Sequence, residues 1–124
     1  MRFLTIYTSD EKNTKKNEAG VPPSQEEIAA MGKLIEEMAR AGVLLSAEGC
    51  QPSAKGAKVE KSGKDIKVTD GPFTEAKEVV GGLAIIKANS KAEAIEWAKR
   101  FLDVAGDGVS HIFELHDQAA FTEK

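Results

Sequence analysis

Val79-Val80-Gly81-Gly82-Leu83-Ala84-Ile85-Ile86-Lys87-Ala88 is the most apolar run in this chain, and its reading decides the fold. Ten residues are short for a helix, and paired glycines would break one. The run therefore reads as a central strand covered on both faces. Ser90 and Glu93 follow with the spacing of a capping box, opening a helix with Ala94, Ile95, Trp97, Ala98, Phe101 and Leu102 on its apolar face. Val109 to His116 then alternates as a last strand, with Val109, His111, Phe113 and Leu115 on one face. On that face His111 is expected to be a buried, hydrogen-bonded structural residue.

The first half of the chain repeats this order. Arg2 to Thr8 reads as a strand, with Leu4 and Ile6 on one face and Phe3, Thr5 and Tyr7 on the other. Asp10 to Gly20 is polar and reads as a surface loop. Pro22-Pro23 blocks earlier helix, Ser24 and Glu27 form a capping box, and Ile28, Met31, Ile35 and Met38 recur at helical spacing. The two methionines read as core filler. Gly42 stops this helix, and Val43 to Gly49 follows as a strand. Between the halves, residues 54–69 read as a lysine-rich hairpin turning at Ser62-Gly63. A short tail from Asp117 to Lys124 is expected to dock through Phe121.

Strand-helix-strand, hairpin, strand-helix-strand predicts an α+β, ferredoxin-like split βαβ sandwich with an inserted β-hairpin and both helices on one face. Phe3, Tyr7 and half of the apolar strand are then expected on an uncovered face. A homodimer with stacked sheets would bury them.

Composition narrows the function classes. The chain has 124 residues and 13.3 kDa, the size of one domain, and is 41% hydrophobic and 30% charged. A net charge of −3 and a pI near 5.5 speak against nucleic acid as a partner. Met1 to Tyr7 turns polar too quickly for a signal peptide, and no apolar run approaches the roughly 20 residues of a membrane span. The single Cys50 excludes an internal disulfide, and no zinc-type spacing is present. The expectation is a cytoplasmic protein with no metal, no cofactor and no membrane contact.

Two polar corners carry the candidate chemistry. Val68-Thr69-Asp70-Gly71-Pro72-Phe73-Thr74-Glu75-Ala76-Lys77-Glu78 leaves the hairpin through an Asp-Gly turn, and Glu48-Gly49-Cys50-Gln51-Pro52 ends the second strand. If the hairpin folds back on itself, the corners approach, and Asp70 and Glu48 form a carboxylate pair with separated pKa values. Asp70 is the candidate general acid or base, Glu48 its modulator and His116, near Glu114 and Asp117, a more distant catalytic candidate. Gly71, Pro72, Phe73, Thr74, Glu75 and Lys77 are the candidate ligand-binding residues.

The first of these motifs, ending in Gly81-Gly82, resembles the signature of the DGPF branch of the YCII-related family. Glu48-Gly49-Cys50-Gln51-Pro52 resembles that branch's second motif, and Ala94-Ile95-Glu96-Trp97-Ala98 its second helix. The resemblance spans nearly the whole chain. It implies a dimeric α+β barrel built from ferredoxin-like units, in a family of mostly uncharacterised bacterial proteins. Some members are encoded beside alternative sigma factors, and a related branch includes an enzyme acting on a chlorinated hydroxyquinol. The wider family carries a His before the first helix that pairs with an Asp. Gly20-Val21-Pro22-Pro23-Ser24-Gln25-Glu26-Glu27 holds no His, so that dyad does not transfer. Cys50 stands where the branch usually has Leu and reads as a small hydrophobe. Three functions follow: a cofactor-independent lyase-type enzyme with a pocket near Asp70, a non-catalytic ligand-binding or regulatory protein, and an interaction module linked to sigma-factor signalling.

Overall fold

The computed structural model describes residues 1–117, so the expected docking of Phe121 lies outside the described residues. Strand β1 (Arg2–Ser9) leads into helix α1 (Glu11–Glu18), then α2 (Gln25–Arg40) and β2 (Leu44–Gly49). The hairpin β3 (Ala57–Ser62) and β4 (Asp65–Asp70) follows, then β5 (Gly82–Lys87), α3 (Lys91–Ala105) and β6 (Gly108–Glu114). One antiparallel sheet runs β2-β5-β1-β6, and the hairpin is a separate two-stranded sheet. The apolar run thus supplies an interior strand.

The sheet does not close into the barrel that the family resemblance implies. β2 and β6 are the two edges of an open sheet, each hydrogen-bonded to a single neighbour. The hairpin does not bridge them, because β3 and β4 pair only with each other, in a separate two-stranded sheet. The architecture is an open α+β layer with antiparallel sheets.

Local chemistry explains the helices. Ser24 Oγ accepts the Glu27 N–H, while the Glu27 carboxylate accepts the Ser24 N–H, so both halves of the predicted box form. Ser90 likewise caps α3, but the Glu93 carboxylate accepts the Asn89 N–H instead of that of Ser90. Helix α1 overturns the loop expected at 10–20. Asp10 caps it by accepting the Asn13 N–H at 2.9 Å, and Lys15 pairs with Glu11 one turn back. Gly42, at φ +71°, takes the left-handed turn that releases the chain from α2 into β2.

Register decides which face meets the helices. Phe3 pairs with Ile86, Thr5 with Ala84 and Ile112, and Tyr7 with Gly82 and Ser110. Phe3 and Ile86 are fully buried against Leu34, Met38 and Ala94 of α2 and α3, so these rows face the helices. Met31 and Met38 take their core role there. Arg100 of α3 bridges to Glu37 of α2 across the outer seam.

The alternate rows, Leu4, Ile6, Leu83, Ile85, Val109, His111 and Phe113, lie on the uncovered face. Alternation separates the two sets correctly, but Phe3 and Tyr7 belong to the covered set and not, as expected, to the uncovered one. His111 is exposed on this face, stacked against Phe113, and is not the buried residue expected.

Candidate functional site

Between α2, α3 and the covered sheet face lies a cavity of about 590 Å³. Its walls are apolar: Ile28, Met31 and Ile35 from α2, Trp97, Phe101 and Val104 from α3, and Leu44, Ala47, Ala84 and Ile86 from the sheet. Gly32, in the middle of α2, also lines it, and a Cβ there would meet no atom within 4 Å. A glycine at such a position costs helix stability, and here it leaves cavity volume in return.

Few polar groups reach this chamber. Thr5, Tyr7 and Ser110 line its sheet side, and Glu27 sits on its α2 side. Thr5 Oγ1 donates to the Ala84 carbonyl at 3.3 Å. The Tyr7 hydroxyl lies 3.4 Å from the Gly106 and Asp107 carbonyl oxygens, and its ring meets Phe101 edge-on at 5.2 Å. Burial raises the Tyr7 pKa above its usual 10.0, and the Asp10 and Asp107 charges push the same way. The phenol therefore stays a neutral donor well past neutral pH. Among the described residues, no buried side-chain polar atom lacks a partner. The chamber thus presents apolar surface with a sparse polar margin, the composition typical of small-molecule sites.

A second cavity, of about 550 Å³, adjoins it and is more polar. Asn17, Glu18, Cys50, Gln51 and Lys55 line it, together with Val79 and Val80. Pro23 and Gly81 belong to both walls. Cys50 is exposed here instead of acting as a small core hydrophobe, and its N–H donates to the Gly81 carbonyl at 3.0 Å.

The predicted site residues do not share one cavity wall. Glu48 and Gly49 border the apolar chamber, while Cys50, Gln51 and Pro52 border the polar corner. Glu48 pairs with Leu83, so strand alternation turns its carboxylate toward the uncovered face. Asp70 ends β4 in the other sheet, exposed and opposite Ala57, and lines neither cavity. The expected approach of Glu48 to Asp70 is therefore not carried by either cavity. His116 lies beyond β6, and its carbonyl accepts a bond from Arg2 at 2.8 Å.

Gly71 to Lys77 likewise line neither cavity, and the front of this stretch is locked to Ser53. The buried Ser53 hydroxyl donates to the Glu18 carboxylate and accepts the Phe73 N–H at 3.0 Å, and the Ser53 N–H donates to Glu18 at 2.6 Å. The Gly71–Pro72 peptide is cis. Tyr7, Gly32 and Ser110 escaped the sequence reading. Only Gly32, a helix-breaking residue inside an apolar stripe, carried a readable signal.

A small α+β layered domain with an apolar chamber between its layers is the class that this fold and site define. Residues 1–117 match the YCII-related domain, and the chain belongs to that family. Among curated proteins none matches the sequence. Among solved structures the chain is similar to 5-chloro-2-hydroxyhydroquinone dehydrochlorinase from Burkholderia phenoliruptrix AC1100, in complex with 2,5-dihydroxybenzoquinone. The TM-score is 0.51 at 13% identity, over 97% of this chain and 98% of that one. At that identity the likeness carries the fold alone. Among the described residues no group of three or more His, Cys, Asp or Glu side chains converges as a metal site, and no helix is long and apolar enough to cross a membrane.

Proposed function

We propose that this YCII-related protein binds a compact, mainly apolar small molecule between its sheet and its helices α2 and α3. The single observation carrying this reading is the chamber of about 590 Å³. Its volume falls in the range of roughly 300–1,000 Å³ usual for ligand pockets. Toluene titration by calorimetry tests it. Wild type should bind, and Gly32→Leu, which projects a side chain into the chamber, should abolish binding while the far-UV circular dichroism stays unchanged. No heat of binding with wild type would count against the reading.

A second reading is turnover, with Asp70 as acid or base and Glu48 and His116 assisting. In its favour, a protein of similar fold is a dehydrochlorinase solved with a hydroxylated quinone ring. Asp70→Asn separates the two: binding in the apolar chamber predicts unchanged affinity for toluene and for an oxygenated aromatic, whereas the catalytic reading predicts lost turnover of the latter.

The run from Asp70 to Phe73 supports placement in the DGPF branch. The single unpaired cysteine supports a cytoplasmic setting. The apolar uncovered face, with Leu4, Ile6, Leu83 and Ile85, supports a homodimer. Light scattering should give twice the chain mass, and Phe113→Asp should reduce it to one.

A further inference from the structure

The apolar chamber and the polar corner meet along a common border, and glycines stand at two points of it. Four segments pass from one wall to the other: β1 from Tyr7 to Ser9, the turn around Pro23, the end of β2 at Gly49-Cys50, and the chain at Val80-Gly81. Two of the four cross at a glycine. Gly81 is pinned by backbone bonds to Tyr7 and Cys50, and a Cβ on it would lie 3.3 Å from the Tyr7 ring. A Cβ on Gly49 would instead meet nothing within 4 Å. Gly49 does not have a left-handed φ, so its backbone does not require glycine. The missing side chain leaves open space at the border.

The corner beyond is chemically distinct from the chamber. Both Glu18 oxygens are engaged by Ser53, which spends that carboxylate inside the protein. Among the described residues Lys55 pairs with no acidic side chain, so the ammonium is the uncommitted charge on this wall. Gln51 and Asn17 stand beside it as neutral hydrogen-bonding groups.

We infer that the two cavities form one binding site for an amphipathic acid, its ring or short hydrocarbon body in the apolar chamber and its carboxylate past Gly49 in the corner, held by Lys55. This deepens the proposed function and rests on it. It assigns the ligand an anionic oxygen head, and it gives Gly49 a role as the open passage between body and head.

Calorimetry with three probes tests it on the full chain: toluene, 2-naphthoate and the neutral 2-naphthylmethanol. Wild type should prefer 2-naphthoate over 2-naphthylmethanol by about tenfold, the scale of one charge-assisted hydrogen bond. Lys55→Gln should remove that preference. Gly49→Leu should weaken 2-naphthoate by about tenfold or more, as expected from closing a passage that the ligand spans, while Lys55→Gln, which touches the corner alone, should leave the affinity for toluene unchanged. Equal affinity of wild type for the acid and the alcohol, or a naphthoate affinity that neither variant changes, would overturn the two-chamber site while toluene binding leaves the apolar pocket standing. If none of the three probes binds wild type, the small-molecule reading and this inference fall together.

Discussion

A Cβ placed on Gly71 would lie 1.6 Å from the Ser53 carbonyl oxygen. The backbone leaving the hairpin passes so closely over the turn at Ser53–Lys55 that only glycine fits, and the Gly71 N–H donates to the Gly56 carbonyl at 2.9 Å from that position. The glycine of the Asp70-Gly71 turn is thus explained by packing. Gly71→Ala should cost about 3 kcal/mol or more in urea unfolding, because backbone on one side or the other must move. A loss below about 0.5 kcal/mol, the scale of a neutral surface change, would mean that the corner yields freely.

Ser53 is the pivot of the same corner. Ser53→Ala strands the Phe73 N–H and half of the bonding of the Glu18 carboxylate, and should cost about 1–3 kcal/mol. Glu18→Gln keeps one acceptor for Ser53 and should cost less. The ranking of the two by chemical denaturation checks the latch, and equal, negligible losses would show that α1 and the motif are not coupled through it.

Gly32 offers the opposite sign. Its Cβ site is open, and the helix around it is otherwise regular, so Gly32→Ala should raise stability by about 1 kcal/mol through helix propensity alone. Thermal unfolding reads this directly. A loss of stability would mean that the cavity wall closes on this position in solution.

Tyr7 gives a pH signature. Its folded-state pKa is raised above 10.0 by burial and by the Asp10 and Asp107 charges. The unfolded phenol therefore ionises first. The stability it contributes is fully present below about pH 10 and is lost as pH rises through the raised folded value. Urea midpoints between pH 8 and 11 should fall more steeply for wild type than for Tyr7→Phe. Parallel curves would show that the half-buried phenol ionises alike in the folded and unfolded chain.

The elements were legible where the signal was local. Ser24 with Glu27, Gly42 and the turn at Gly63 each carry their instruction within four residues, and each stands where the sequence placed it. Helix α1 was equally local, capped by Asp10 and braced by Glu11 and Lys15, yet its low hydrophobicity hid it inside an apparent loop. Its face toward β1 holds a single buried pair, Thr14 with Ser9, joined at 2.8 Å. Packing patterns do not reveal a helix that buries so little.

The sequence by itself determined that a glycine-led apolar strand would sit inside a sheet, that two capped amphipathic helices would cover one face of it, and that a lysine-rich hairpin would be inserted between the two halves. Period-two alternation in β1 determined that Phe3, Thr5 and Tyr7 share a face. It contains no information on which face the helices choose, because that depends on register with β5 and β6. Only the tertiary structure decided that Tyr7 lines a chamber with Ser110, that Glu48 and Asp70 belong to different sheets, and that Gly71 is held against Ser53. Those are contacts between segments far apart in the chain, set by steric fit and hydrogen-bond satisfaction, which no local pattern records.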